Sequence, residues 1–599
     1  MALQSYQDGE PTRYYAVCVN SLPFRRFDFT YDVVIIDESE QVFRHVTSDI
    51  VNDVPGGQAR CFAEMKHHIA EAKSVIVLDA DMSLITTQVL KILRRTDWDQ
   101  QCRIIYNKPL AVEGHREVLM FTTEGQLIHD LMRSLRAGQR CFVASNSKKR
   151  VQELSVMIRE EFGETRRRLV ITSEESQTPR IREFLSDVCN QILEYDVLMV
   201  SPAMGTGVDI SFENDECRID CVYGFFEPFI NTHTDIDQQL ARVRNPGSVK
   251  VWFKPGRFDF ETSIDTIRDD LARAGVATKA VEWLGNGELK YDKNDPLVEI
   301  WTHVTCARRS SMKNIRRSSM KNIERLFIGL REANGWSVAK AEHDEASTQS
   351  GKAALEDAEQ IRNAEHVERV MKAPLIDRQG FLDIKTRKNK GQLTLPERAA
   401  LEKYELERAF GLSLTEDIVR RNLDGRLRER VEIFADLGSI GMFRLNKNRA
   451  EECSVEGTVV RWPKTNPRTL VLAAAILCGV VDETGIRSDH VVDQTNLHGF
   501  VRFCSYNSTI IEVIMGNAVR GDLANKAVSQ LNCFLKRAGL KLWPFETKKV
   551  GSKKVRFYRF NQDEFQFMNM LALNLRRHDD EEDDDDPFRL TFPLRYKSM

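Results

Sequence analysis

The chain has 599 residues, 42% hydrophobic and 29% charged, with a formal net charge of -3. These totals exclude a fibrous or wholly disordered protein and leave room for roughly four domains of ordinary size. A chain so near neutrality has no global attraction for polyanions, so any affinity for nucleic acid must come from local basic patches. The longest apolar stretch beyond the first strands, Leu470 to Val481, is too short for a bilayer span, and no charged-then-apolar leader opens the chain. No membrane association and a cytosolic location are the expectation. The 12 cysteines are scattered, and even the nearest pair, Cys217 and Cys221, has no second pair at metal-site spacing. Buried, reduced thiols are expected.

Up to about residue 260, short β-branched apolar runs alternate with helical patterns: YAVCVN, YDVVIIDE, SVIVLDAD, CRIIYN, REVLMFTT, RCFVASN, RLVITS, DVLMVSP, CRIDCVYGFF and VKVWFKP. Unbroken apolar strands between helices predict parallel sheets buried on both faces. From about 300 to 435 the pattern is helical and charged, with AKAEHDEASTQSGKAALEDAEQ read as a polar break or a solvated helix. Within it RRSSMKNI occurs twice in tandem, at Arg308 to Ile315 and Arg316 to Ile323. Two readings stand: a basic helix that tracks phosphates, or a duplication on a solvated face. The stretch from 440 to 575 is mixed again. An amphipathic helix starts at Asp522 and stops at Gly539, and two strands follow about a turn near Gly551, as in a winged helix. The tail carries DDEEDDDD, Asp579 to Asp586, a self-repelling run expected to be disordered and to compete with nucleic acid for basic surfaces.

The chemistry begins at YDVVIIDESE, where an apolar strand ends on Asp37 and Glu38. The carboxyl edge of an open α/β sheet is where such folds bind ligands. There one carboxylate suits a magnesium ion and the next suits a water to be activated for attack on a γ-phosphate. The second strand of this kind ends in Asp79, Asp81 and Ser83. Further on, Ser145, Asn146, Ser147, Lys148 and Lys149 follow a strand, short polar and ammonium groups that suit a phosphate backbone. Gly205 and Gly207 then permit close backbone approach before Asp209, and DIDQQLARVRNP places Gln238, Arg242 and Arg244 on an expected single helix. Two arginines there suit the charge that develops on a transferring phosphoryl group. Taken singly, each feature also reads as a solvent-edge acid, a plain turn or a solvated charge; their order in the chain argues against chance.

That order, DESE, LDADMS, VASNS, SPAMGTGVD and QQLARVR, resembles the superfamily-two helicases, and within them the replication-origin-binding helicases of the herpesvirus type and their phage and plasmid relatives. DESEQV, the preceding CVNSL at Cys18 to Leu22, and the ending ARVRNP carry the finer resemblance, which spans about residues 12 to 255. It implies an α/β fold of two RecA-like domains, with ATP between them and DNA, at an origin and single-stranded, across their top. It also implies magnesium at Asp37, catalysis at Glu38, DNA contact at Asn20 and Ser21 and by Ser145 and Asn146, and nucleotide-side roles for Gly207, Asp209 and Gln238. Arg242 and Arg244 match the arginine motif at a spacing of two rather than three, which leaves open which one meets the phosphate.

The phosphate loop GxxxxGK[ST] that such an ATPase needs is missing from this sequence. At Gly351-Lys352, Ala346 stands where the first glycine belongs and Ala353 where a hydroxyl should bind magnesium. The expectation is therefore an incomplete first RecA-like domain over 1–110, a complete second one over 111–260, a helical region over 261–435, a winged-helix-like domain over 440–575 and an acidic tail over 576–599. A frame opening inside a longer gene, a split gene whose missing half is a separate N-terminal polypeptide, and a decayed ATPase are the three explanations; a primase is a further expected partner. A second nucleic-acid surface is read in KLWPFETKKVGSKKVRFYRF, where Lys548, Lys549, Lys553, Lys554, Arg556 and Arg559 interleave with Trp543, Phe557 and Tyr558. KTRKNK at Lys385 to Lys390 and RLRER at Arg426 to Arg430 are lesser basic clusters, read as solvated faces.

Overall fold

The computed structural model describes residues 4–5, 11–24, 29–47, 57–94, 101–105, 116–174, 176, 178–204, 208–227, 231–255, 262–273, 296–312, 322–389, 393–438, 467–493, 496–515, 519–550 and 553–575. The run YAVCVN contributes only the two-residue strand Tyr15–Ala16, whereas YDVVIIDE forms β1 (Val33–Asp37) and SVIVLDAD forms β2 (Ser74–Leu78). They pair in parallel with Val33 opposite Ser74, joined through α1 (Ser39–Val46) and α2 (Gly57–Glu71), and α3 (Leu84–Arg94) follows. These helices cover one face of the pair, burying Ile36, Phe43, Val46, Phe62, Ile69 and Val89. The other face is bare: Val33, Ile35, Ile76 and Leu78 are 49%, 63%, 46% and 50% exposed. The expected strand CRIIYN does not join them, and Ile104 and Ile105 are exposed.

The next strands are β3 (Glu117–Phe121), β4 (Cys141–Ser145), β5 (Arg168–Ile171), β6 (Val197–Val200), β7 (Cys221–Phe226), β8 (Ser248–Phe253) and β9 (Ser337–Lys340). They form one seven-stranded sheet in the order β9-β3-β8-β7-β4-β6-β5, parallel at every pairing. Both faces are covered, as parallel strands require. Side-chain alternation sends Phe142, Ala144 and Val222 to a core with α6 (Pro179–Ser186), α7 (His233–Leu240) and α9 (Asn322–Ala333). It sends Val143, Tyr223 and Phe225 to a core with α4 (Glu124–Arg136) and α5 (Lys148–Phe162).

The boundary expected at 260 does not fall there. The segment beyond it supplies the edge strand β9 and the 28-residue helix α10 (Glu345–Lys372), which lies on α4 and α5. The polar AKAEHDEASTQSGKAALEDAEQ is thus a packed helix from Glu345 on, and Gly351 has a mechanical reason: a Cβ there would sit 1.9 Å from the carbonyl oxygen of Gly125 on α4. Backbones this close leave no room for a side chain, which accounts for Gly351-Lys352 without a phosphate loop.

A third core joins α11 (Leu395–Phe410) to helices on both sides of the expected 435/440 boundary. Its members include Phe434 and Leu437, Leu470 and Val471 of α12 (Pro467–Leu477), Phe534 of α13 (Leu523–Leu535), and Leu571 of α14 (Gln562–Leu573). Between the last two helices lies the hairpin β10 (Leu542–Val550) and β11 (Lys553–Phe560). Arg309, on α8 (Pro296–Met312) and in the first copy of RRSSMKNI, is buried against Glu512 at 2.7 Å, so it is a structural ion pair and not a phosphate contact. Residues 313–321 and the acidic tail lie outside the described residues. Among the described residues five cysteines are buried as expected, whereas Cys18, Cys217 and Cys533 are exposed. No helix among the described residues is long and apolar enough to cross a membrane.

Gly351→Ala is expected to lower stability by about 1–3 kcal/mol through overpacking against α4. Gly329→Ala, on α9 with nothing within 4 Å, should be neutral or slightly stabilising. Thermal midpoints of the two variants, measured side by side, check the contrast.

Candidate functional site

The carboxyl end of β1 turns sharply. Glu38 takes φ 52 and ψ 53, a left-handed conformation that a non-glycine residue adopts at a cost of about 1–3 kcal/mol. The turn lets four consecutive acidic and polar side chains serve different directions. Glu40, buried on α1, bridges to the end of β2: its carboxylate accepts from the Ser83 amide at 2.8 Å, the Ser83 hydroxyl at 2.6 Å, the Thr86 amide at 3.1 Å and the Thr86 hydroxyl at 2.8 Å. Asp79 answers from β2, accepting from the Glu40 amide at 2.8 Å and the Asp81 amide at 2.8 Å. The two strand ends are thereby locked into one rigid ledge carrying Asp37 and Glu38.

The same helix reaches across to the seven-stranded unit. Gln41 donates to Gln238 at 2.7 Å, and Arg44 donates to Thr232 at 3.1 Å and to Asp235 at 2.8 Å. Thr232 and Asp235 form the capping box that starts α7, so α1 docks on the well-defined head of that helix. Gln238 therefore serves the seam between the units.

Inside this seam lie two half-buried opposite charges, each with atoms that have no hydrogen-bond partner among the described residues. Glu38 Oε2 is buried with no hydrogen bond, and so are Nε and Nη1 of Arg242. Burial raises the Glu38 pKa, and Asp79 and Asp37 raise it further while Arg242 opposes them; burial lowers the Arg242 pKa while Glu38 sustains it. Two half-buried groups with unmet hydrogen-bonding capacity, facing each other's field, are arranged for a third party. Asp81 completes the acidic side: its pKa is raised to about 6, chiefly by burial and then by Asp237, Asp79 and Glu38, against Arg331. Arg331 itself comes from α9, buried against Asp237 and stacked over Trp336 with its guanidinium 4.7 Å from the ring centre.

The expected residues divide sharply on this geometry. Arg242 and Arg244 do not share the helix of Gln238, because α7 ends at Leu240 and Val243 instead pairs with Ile210. Beyond the helix the two arginines have different surroundings. Arg242 enters the seam, while Arg244 lies exposed and bound to Asp209. Ser145 and Asn146 are buried and already engaged: Ser145 donates to the Phe225 carbonyl at 2.8 Å, and Asn146 exchanges two 2.8 Å bonds with the backbone of Glu227. Neither presents a group to a phosphate. Lys148 and Lys149 are likewise engaged, with Glu174 and Glu359. Ser21 is half-buried in the 3-10 turn Val19–Phe24; the Asn20 side chain and Gly207 lie outside the described residues. Sequence reasoning singled out Asp79, Asp81 and Ser83 and missed Glu40, Gln41, Arg44 and Arg331. Glu40 and Gln41 were inside the quoted motif, but nothing in a linear motif says which side chains turn inward.

Among the described residues, no three His, Cys, Asp or Glu side chains are grouped so as to hold a metal unaided. Magnesium keeps several waters and is commonly held by one or two carboxylates together with substrate phosphates.

The hairpin forms a second candidate surface. Its register pairs Trp543 with Arg559, Glu546 with Phe557 and Lys548 with Val555 on one face, and Thr547 with Arg556 and Lys549 with Lys554 on the other, the alternation being shifted by an irregularity between Pro544 and Glu546. Trp543 and Phe545 are 42% and 41% exposed, with Lys541 3.6 Å from the ring centre of Trp543 and Arg559 4.7 Å from that of Phe545. Lys548 lies on the Trp543 face, 5.6 Å from the ring centre of Phe557, and its ammonium is paired with Glu546 at 2.8 Å, which takes it out of the expected set; the Lys553 side chain lies outside the described residues. In the lesser clusters, Arg387 pairs with Glu397, Arg428 with Glu432 and Arg430 with Asp424.

No family model and no curated protein matches the chain. Among solved structures it is similar to Mycobacterium smegmatis helicase Lhr bound to ssDNA and AMP-PNP, at 12% identity and TM-score 0.27, over 64% of this chain and 56% of that one. It is similar to Mss116p bound to ssRNA and AMP-PNP at 11% identity and TM-score 0.28, over 64% and 69%, and to the yeast DEAD-box splicing factor Prp28 at 11% and 0.20, over 46% and 60%. The chain thus spans little more than half of the Lhr chain's length. Likeness at this level carries no argument about the site, which stands on its own geometry.

Asp81→Asn is expected to raise the thermal midpoint at pH 8, because it removes a carboxylate charge held among Asp237, Asp79 and Glu38. A raised carboxylate pKa means the folded form holds its proton to higher pH than the unfolded form, so stability is lost as pH rises from 3.8 through about 6, and the gain should be smaller at pH 5 and vanish only below 3.8, where Asp81 is protonated in both forms. Melting curves of both proteins across that range check it.

Proposed function

We propose that the chain is the nucleic-acid-dependent ATPase part of a helicase-like replication protein, hydrolysing ATP in the seam between the two-stranded and the seven-stranded units. One observation carries the reading: Glu38 and Arg242, half-buried on opposite walls of that seam, each with buried atoms whose hydrogen-bonding capacity is unmet among the described residues. A nucleotide polyphosphate with its magnesium would satisfy both walls, with Asp37 holding the ion, which bridges and neutralises the phosphates when bound. Glu38, kept more basic than an ordinary carboxylate by burial, is suited to take a proton from the attacking water. Arg242 is suited to meet the charge that grows on the transferring phosphoryl group, and Arg244, spent on Asp209, is not.

The hairpin face supports the nucleic-acid half of the reading, since exposed rings with flanking cations accept stacked bases and phosphates together. Its setting supports the winged-helix reading: α12, then Val492 bridged to Tyr558 of β11, then helices, then the hairpin. DNA as the nucleic acid, and a replication origin of a phage, plasmid or other mobile element as the place of action, rest on the motif order in the sequence. A second reading is favoured by the bare outer face of β1 and β2 and by the missing phosphate loop. In that reading the chain binds DNA and has no ATPase of its own until a separate polypeptide, such as an N-terminal fragment, completes the first domain.

ATP turnover with single-stranded DNA present decides between the two readings. Glu38→Gln should abolish turnover, Arg242→Ala should lower kcat by about 1000-fold, and Arg244→Ala should change it by no more than about threefold. Absence of turnover in the unaltered chain, with DNA still bound, would favour the second reading.

On the hairpin, Lys549→Ala, Lys554→Ala and Arg556→Ala should each weaken binding regardless of base sequence and lower the salt slope by about 1. Trp543→Ala should weaken single-strand binding by about 1–3 kcal/mol, while Lys548→Ala stays near the unaltered value. Fluorescence anisotropy over a salt series checks all five variants.

A further inference from the structure

The seven-stranded sheet ends at β5, and this edge opens into a cleft of about 550 Å³. In the pairing with β6, the carbonyls of Arg167 and Ile171 accept from Val197 and Ser201. Alternation along the strand then turns the amides and carbonyls of Arg168 and Val170 away from the sheet, along the wall of the cleft. The opposite wall is the start of α11, with Leu395 and Arg398. Arginines ring the opening: Arg167, Arg168, Arg180 and Arg398. Arg398 is engaged with Glu174, and Arg168 faces the exposed Glu164 at 3.8 Å. The guanidinium groups of Arg167 and Arg180, both exposed residues, have no ion pair among the described residues, although the Arg167 amide donates to Asp196 at 2.7 Å.

An open strand edge is read only by another polypeptide in extended form, because its alternating donors and acceptors match a backbone and not a sugar-phosphate chain. The arginines add a demand for negative charge. Together these features select an extended acidic peptide over a nucleic acid. This chain contains one: eight consecutive carboxylates, Asp579 to Asp586. The described chain ends at Leu575, just past α14, and α14 shares a hydrophobic core with α11, the helix that walls the cleft. Three residues separate Leu575 from the acidic run, and eight extended residues reach roughly 27 Å.

We propose that the acidic run Asp579 to Asp586 docks in this cleft as an added edge strand beside β5, its carboxylates on Arg167 and Arg180. The test uses a fluorescent peptide of residues Asp579 to Phe588 and the full-length chain with its own eight acidic residues changed to the corresponding amides. The peptide should bind this chain at least about tenfold more tightly than the unaltered chain, whose own tail competes. Arg167→Glu with Arg180→Glu in the amide background should weaken peptide binding by about tenfold. Val170→Pro in the same background removes one outward amide without touching the pairing to β6, and should weaken it as well, with the thermal midpoint confirming that the sheet is intact. Equal peptide binding by the amide and unaltered chains would overturn the proposal. So would binding that ignores both the charge reversal and the proline, or binding that ignores the proline while a single-stranded oligonucleotide displaces the peptide, an outcome that assigns the cleft to phosphates.

Discussion

Parallel β-strands must be covered on both faces, and most of this architecture follows from how that demand is met or left unmet. In the seven-stranded sheet it is met by borrowing. The strand Ser337–Lys340 and the helix Glu345–Lys372 come from a stretch whose charge and helical period mark it as separate, yet they extend and roof the sheet. In the two-stranded pair it is met on one side only, and the apolar side chains of Val33, Ile35, Ile76 and Leu78 face outward. The contrast lies in packing rather than composition, since both sheets are built from the same kind of apolar run.

The helix after Asp37 does more than close a turn. Within one and a half turns its residues hold the neighbouring strand end through Glu40 and hold the head of a helix in the other unit through Gln41 and Arg44. The ledge that carries Asp37 and Glu38 is therefore set against Arg242 by hydrogen bonds that do not involve any of the three. Chemistry and positioning are divided between adjacent residues, so a motif of four letters contains two different kinds of work. Arg331 extends this division into the helix Asn322–Ala333, which places a buried guanidinium behind Asp237 and Asp81.

What was legible in the sequence follows the same logic. Alternating apolar strands and helices up to residue 255 could be read because burial on both faces leaves an unmistakable run of β-branched residues, and the helix from Asp522 with its hairpin could be read from its cap, its glycine stop and its interleaved charges. Domain limits could not, because Ser337–Lys340 and the helices on either side of residue 440 join cores through contacts between distant segments. Among site residues, Asp37 and Glu38 were visible from their place at a strand end. Ser145 and Asn146 sit at an equally suitable strand end but turn inward to the backbone of Phe225 and Glu227, and only the neighbouring strand decides that. Arg242 and Arg244 were assigned to one helix because their spacing permits it; a short pairing between Ile210 and Val243 ends the helix first and separates their fates.

The left-handed backbone at Glu38 has a consequence for anyone seeking to harden this protein. A glycine at that position would relieve the backbone, and asparagine would tolerate it better than glutamate does. Stability-guided engineering would thus rank position 38 among the first to change, and each favoured replacement would delete the carboxylate that gives the seam its purpose. The least comfortable residue in the first unit is the one whose loss would go unnoticed by every assay of folding.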